Sequence, residues 1–326
     1  MQAEKAEKAE TNLHTSYNCV LASVYNILVN NAGLTFPFAC LCVSPQFFKL
    51  EAVANEPLLV SEHPEQTMLH FLRRIGAEAV YPNIGSVDDA PAFAEAYLAK
   101  HAVLPFFINL RYSVLDPAPY DNDYWNVQLL VGRDEAHGHW LAYDTFHGES
   151  YTLEQEQFRM MIDTPFNYRM DSGFSPFLTI ELGDLEGCRR ELNRMTEASS
   201  IIDALTRYPL EANLEAGQSF VTQLRTMYMK DDGRNLHDEI YKIIGFQRIL
   251  IKQREQIGAF AETLGYTHAH RFRELAQAWD TFSYGIAMAI SRHEREGFDK
   301  LAVEFEALIR REFEEAEELG AWLKLS

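Results

Sequence analysis

The sequence predicts an α+β chain: a cysteine-bearing helix packed on an antiparallel sheet over residues 1–185, then an all-α helical bundle over 186–326. Three observations predict it. Short apolar or alternating runs bounded by Asp, Asn, Pro and Gly fill 102–182. From about Gly187 the apolar period changes to that of a helix and stays there. And a polar lead, Thr15-Ser16-Tyr17-Asn18, runs into Cys19 at the head of an apolar stretch in which Val20, Val24, Ile27 and Leu28 recur three and four apart.

That last stretch predicts a helix ending near Asn30, Asn31 and Gly33, with Cys19 in its first turn. The unsatisfied N–H groups and positive dipole end there favour an anion, which lowers a thiol's pKa and suits a nucleophile. The alternative is that Cys19 is a small core hydrophobe on an amphipathic helix. After it, 34–60 reads as irregular and apolar, broken by Pro37, Pro45 and Pro57. A helix over 64–76 ends on Gly76, a short strand follows near Ala79–Tyr81, and a helix over 88–101 starts at Asp88 or Asp89.

The β part comprises Ala102–Leu110, Tyr124–Gly132 and His139–Tyr143, the last two joined by the hairpin RDEAHG. Asp144 closes the third strand before a turn with His147 and Gly148; a short helix at Leu153–Ile162 and a strand at Phe177–Leu182 complete the region. Helices are then predicted over 188–205, 212–230, 234–264, 268–295 and 297–323, with Gly233, Gly265 and Gly297 at the breaks.

Bulk properties bound the function. A net charge of −19 argues against nucleic acid or an anionic membrane as a general partner. Apolar runs fall well short of the ~20 residues of a membrane helix, and the charged start MQAEKAEKAE has no secretory h-region. Cys19, Cys40, Cys42 and Cys188 form neither a disulfide framework nor a CxxC metal pair, so a cytoplasmic protein without metal is expected. Up to Asp184 the chain has 10 basic and 24 acidic residues, and beyond it 19 and 24, so an acidic partner would dock on the second half. Lys242, Arg248, Lys252, Arg254 and the pair Arg189–Arg190 are its candidate docking residues.

A helix-borne cysteine followed by helices and a sheet whose strands carry partner residues is the order of papain-like cysteine enzymes. The segment FFINLRYSVLDPAPYDNDYWNVQLLVGRDEAHGHWLAYDTFHG, with Val127, Gly132, Asp134 and Asp144, resembles the butirosin biosynthesis protein H family. LAQAWDTFSYGIAMAISR, around Trp279, is similar to that family's helical C-terminal region. The resemblance implies a papain-like acyltransferase domain in which Cys19 attacks an acyl thioester on the phosphopantetheine arm of an acyl or peptidyl carrier protein. The acyl group then passes to a small-molecule amine acceptor. Asn18 or Asn12 would join the Cys19 N–H in holding the oxyanion, and Asp144 would orient the base.

The family's general-base histidine falls on Asn126, which cannot take a proton from a thiol. Asn126 is then either a natural departure or an inactivating substitution, or another histidine serves: His14, five residues before Cys19, or His147, just past Asp144. His137 and His139 belong to the hairpin at the opposite strand ends. Release of the chain by hydrolysis or cyclisation, and a degenerate carrier-binding protein, are the competing readings.

Overall fold

The computed structural model describes residues 13–16, 18–42, 49–53, 58–60, 64–115, 125–134, 136–169, 173–196, 208–229 and 236–325. The N-terminal arm, Asn12, Tyr17, the Asp/Pro loop at 116–124 and the stretch 197–207 lie outside them, as do the side chains of Cys42 and Lys242. In chain order the elements are α1 (Cys19–Asn30), α2 (Ala39–Cys42), β1 (Glu51–Ala52), β2 (Leu59–Val60), α3 (Pro64–Arg74), β3 (Ala77–Val80), α4 (Ala90–Leu98) and β4 (Leu104–Asn109). Next come β5 (Trp125–Asp134), β6 (His139–Asp144), β7 (Glu149–Leu153), α5 (Gln155–Ile162), β8 (Tyr168–Arg169), β9 (Gly173–Phe174) and β10 (Thr179–Leu182). Among the described residues five helices follow: α6 (Leu185–Met195), α7 (Leu210–Tyr228), α8 (Leu236–Thr263), α9 (His270–Arg292) and α10 (Arg295–Leu325). The chain is thus mixed α+β with small antiparallel sheets and a helical C-terminal region.

The described residues form two compact units. One runs to Thr35 and resumes over Gly76–Leu185; the other comprises Phe36–Ile75 and the chain from Glu186 onward. The passage 36–75 clusters with the C-terminal helices because they complete it: Leu50 N–H donates to Asn213 Oδ1 of α7 at 2.8 Å, and α2 packs on α8.

In the first unit, β4, β5, β6 and β7 lie side by side in one antiparallel sheet. β3 pairs with β10, and the residues leading into β10 bind the free edge of β4, Phe107 N–H to Pro176 O at 2.8 Å and Leu178 N–H to Pro105 O at 3.1 Å. One face buries Phe106, Ile108, Leu130, Trp140 and Ala142 against α4 and α5, including Phe158 and Ile162. Residues of opposite parity, Phe107, Val127, Leu129 and Tyr143, are buried on the other face, where α1 packs on β4 and β5. A bulge on β5 between Leu130 and Gly132 brings Arg133, three residues past Leu130, opposite Trp140, so that Leu130, Trp140 and Ala142 stay on one face. Asn31 fastens the end of α1, its Oδ1 accepting from Ala102 and Val103 N–H at 2.9 and 3.0 Å and its Nδ2 donating to Val103 O at 2.8 Å.

β7 is an element that hydrophobic patterning does not announce. It is an edge strand whose residues Glu149 and Ser150 face water, so the segment reads as turn. The break expected at Gly297 falls instead at His293, which takes the left-handed region (φ 51°) at the end of α9 and donates from Nδ1 to Tyr228 O at 2.6 Å. Gly297 lies inside α10.

The second unit is centred on one ion pair. Arg254 of α8 and Glu312 of α10, both fully buried, make two parallel bonds, Nε to Oε2 at 2.8 Å and a terminal nitrogen to Oε1 at 2.7 Å. Trp279 Nε1 and Tyr208 Oη donate to the same carboxylate at 2.9 and 3.1 Å. Arg254 is therefore removed from the proposed docking run: its charge is spent inside the unit. Lys252 and Arg189 are each paired three residues away, with Glu255 and Glu186, while Arg248 is exposed.

Removing one member of a buried pair strands the other charge, so Arg254→Met should destabilise the protein by about 3–5 kcal/mol in urea denaturation. Arg254→Met with Glu312→Leu should recover most of that loss. A double variant as unstable as the single one would show that the network contributes through more than charge compensation.

Candidate active site

Cys19 is the first residue of α1, and the helix starts there for a local reason. Asn18 is extended, and its Oδ1 accepts from Leu21 N–H at 3.1 Å, an N-cap of the usual kind. The lead into it is held in two places. Ser16 N–H donates to Thr145 O at 2.8 Å, and Asn26, buried on α1, exchanges bonds with the main chain of His14 at 2.9 and 3.0 Å. Thr15 meets the β6–β7 turn at Gly148, where φ is +76° and a Cβ would stand 2.9 Å from Thr15 Cγ2. Only glycine fits both the conformation and the contact.

The sulfur lies where two strands part. Pairing of β5 with β6 ends at Leu129–Tyr143, so the polar groups of Val127 on that side find other partners. Val127 O accepts from Thr145 Oγ1 at 3.4 Å, and Val127 N–H faces both Asn126 Oδ1, at 2.6 Å, and the Cys19 sulfur. The N–H groups of Val20 and of Cys19 itself also turn toward the sulfur. These three donors favour a thiolate, but burial of the sulfur outweighs them and the nearby Asp144 adds to it, so the thiol is pushed up to about 11. The helix-dipole expectation of an acidic thiol is thus corrected: the donors are present, and desolvation is the larger effect. Cys19 needs a base.

Asp144, buried at the end of β6, gathers four donors. Its Oδ1 accepts from the N–H groups of Phe146 and His147 at 2.7 and 3.1 Å, and its Oδ2 from Gln128 Nε2 at 2.8 Å and His147 Nδ1 at 3.1 Å. Of the candidate histidines, His147 is the one tied to this carboxyl group. His14 is placed elsewhere. Its ring stands 4.9 Å from that of Tyr25 and its main chain is bound to Asn26, six and seven residues past Cys19. That is ~9–10 Å along the helix axis, so the ring is carried down the flank of α1, and burial lowers its pKa. Asn126 sits beside the site with its oxygen on Val127 N–H. His137 pairs with Asp134 at 2.7 Å in the β5–β6 hairpin, and His139 begins β6, at the opposite end from Asp144.

Two contributors escape sequence reading, Gln128 and Tyr151. Gln128 lies two residues past Asn126 on the same strand face, and Tyr151 Oη donates to its Oε1. The expected oxyanion partner Asn18 caps the helix through Oδ1, a bond that does not use Nδ2, the atom it would offer an oxyanion; Asn12 lies outside the described residues. Among the described residues no group of three or more His, Cys, Asp or Glu side chains is placed to hold a metal ion.

A thiol raised to about 11, against 9.0 for a free one, has a definite signature. Alkylation of Cys19 by iodoacetamide, followed by peptide mass mapping, should keep accelerating from pH 9 toward 11. By linkage, the stability contributed by the neutral thiol is intact below pH 9 and lost as pH rises toward 11, a loss Cys19→Ala should abolish. A rate that levels off below pH 8 would contradict the burial described here. No family model matches this chain, and no curated protein matches it.

Proposed function

We propose that the chain is a papain-like cysteine acyltransferase of the butirosin biosynthesis protein H type, acting in natural-product biosynthesis on an acyl thioester borne by a carrier protein. The observation that carries the reading is the juxtaposition at the ends of β5 and β6. A helix-N-terminal thiol, surrounded by three backbone N–H groups, lies within electrostatic reach of a buried Asp144 that holds His147.

In this reading His147 replaces the base missing at position 126. Its Nδ1–H rests on Asp144 and its Nε2 takes the Cys19 proton, directly or through one water. The sulfur then bonds to the thioester carbonyl carbon, the C–S bond to the phosphopantetheine arm breaks, and the departing thiolate takes the proton back. An amine next attacks the Cys19 thioester, forming an amide and restoring the thiol. No cofactor is needed, since the thioester is already activated. The reading places the protein in the cytoplasm; no helix among the described residues is long and apolar enough to cross a membrane. A carrier, usually acidic, would favour the less negative C-terminal half, with exposed Arg248 as a contact. The second reading, a carrier-binding protein without catalysis, draws support from Asn126 and from the thiol's elevation to about 11.

Intact-mass measurement after incubation with pantetheine thioesters separates the two. Acyl transfer predicts an adduct on Cys19 that Cys19→Ser abolishes and that an added amine discharges as an amide. Removing the base in His147→Ala should slow adduct formation by ~10²–10⁴. Free acid, or a cyclised product, regardless of amine would assign chain release instead. No adduct with any thioester would leave the carrier-binding reading standing.

A further inference from the structure

Behind His147 lies a line of buried groups that acyl transfer by itself does not account for. Tyr151 on β7 donates through Oη to Gln128 Oε1 on β5; Gln128 donates through Nε2 to Asp144 Oδ2 on β6 at 2.8 Å; and the same oxygen meets His147 Nδ1 at 3.1 Å. Gln128 and Asp144 are almost wholly buried, and Tyr151 packs on the core formed by Trp140 and Phe158. A glutamine in such a place cannot be turned over. Rotating its amide would set Oε1 against the Asp144 carboxylate and leave Nε2 facing a hydroxyl, so the carboxylate fixes the amide and the amide fixes Tyr151 as donor. Burial and the nearby Asp144 charge both hold the Tyr151 hydroxyl in its neutral, donating form. Every proton in the line therefore points toward Asp144.

We propose that Gln128 and Tyr151 are positioning residues that lock Asp144 in one rotamer and thereby hold His147 as the Nδ1–H tautomer, with Nε2 left as its basic nitrogen. The reason is an accounting of lone pairs. Oδ1 is occupied by the Phe146 and His147 N–H groups, and one acceptor site of Oδ2 by Gln128, so the remaining site on Oδ2 faces His147 and can only accept. Without Gln128 the carboxylate keeps the two main-chain N–H groups on Oδ1 but loses the donor that fixes Oδ2, so Oδ2 is no longer obliged to turn its remaining lone pair to His147 Nδ1 and its hold on the tautomer weakens. The function of this line rests on the acyl transfer proposed above; its effect on the tautomer does not.

The test is ¹⁵N NMR of His147 in the full chain at about pH 8, where an ordinary imidazole is neutral, for the parent, Gln128→Met and Tyr151→Phe. Both substitutions conserve volume, and Tyr151→Phe removes only a hydroxyl, so it keeps the test open if Gln128→Met fails to fold. The parent should show His147 Nε2 unprotonated. Gln128→Met should show the two tautomers in exchange, and Tyr151→Phe a smaller shift the same way. Where transfer is measurable, kcat should fall on the order of tenfold to a hundredfold with KM unchanged. A changed tautomer with no acyl transfer in any variant would uphold the line and sink the proposed reaction. The parent's tautomer persisting unchanged in both variants would overturn the positioning role, whatever the activity.

Discussion

One buried carboxylate governs the first unit. Asp144 ends a central strand, is nearly out of reach of water, and is tolerated there because four donors, three from the turn that follows it and one from β5, converge on it. Those bonds set local geometry in turn. The two main-chain N–H groups curl the chain after β6 into the turn that ends at Gly148. The Gln128 bond ties β5 to β6 just past their last regular pair. Past that pair Val127 O accepts from Thr145 Oγ1 and Val127 N–H faces the sulfur of Cys19. The carboxylate that holds the strands thus also opposes ionisation of the thiol, and the same group carries the His147 ring on Oδ2.

Opposed forces meet at the sulfur. Backbone N–H groups at a helix start act to ionise a thiol, and burial acts against it; here burial prevails and the group sits at about 11. A thiol in that condition stays protonated at neutral pH and would need a base to relieve it of its proton before it could act as a nucleophile. The second unit applies the same physics to structure. Glu312 is buried with Arg254, Trp279 and Tyr208 as partners, and the assembly ties α8, α9 and α10 together with Tyr208, just ahead of α7.

Much of this was legible from residue order alone, for reasons that can be named. The start of α1 at Cys19 follows from Asn18, whose short amide caps a helix, and from an apolar stripe that begins at once. The strands around 104–109, 125–134 and 139–144 announce themselves by β-branched and aromatic runs between turn residues. What stayed hidden depends on distant neighbours. Gln128 meets Asp144 only because β5 and β6 pair in one register, and the tyrosine that completes the line lies on an edge strand too polar to be noticed. The depth of the Cys19 sulfur is a tertiary property, so a helix-dipole rule alone misjudged its pKa. Arg254 looks like a surface cation on a helix until its partner, 58 residues away, is seen. His14 is nearer to Cys19 in sequence than any other histidine, yet Asn26 ties its main chain to a position farther along the helix, while the ring that meets Asp144 is that of His147.

The most direct measurement is the separation of His147 Nε2 and the Cys19 sulfur in a crystal structure with a non-hydrolysable pantetheine thioester mimic bound. A base that serves this thiol should stand within about 3.5 Å of it or share one ordered water with it, with Nδ1 still on Asp144. An imidazole turned out to solvent, with the mimic bound and the thiol enclosed away from it, would contradict the assignment of Cys19 as nucleophile and His147 as its base.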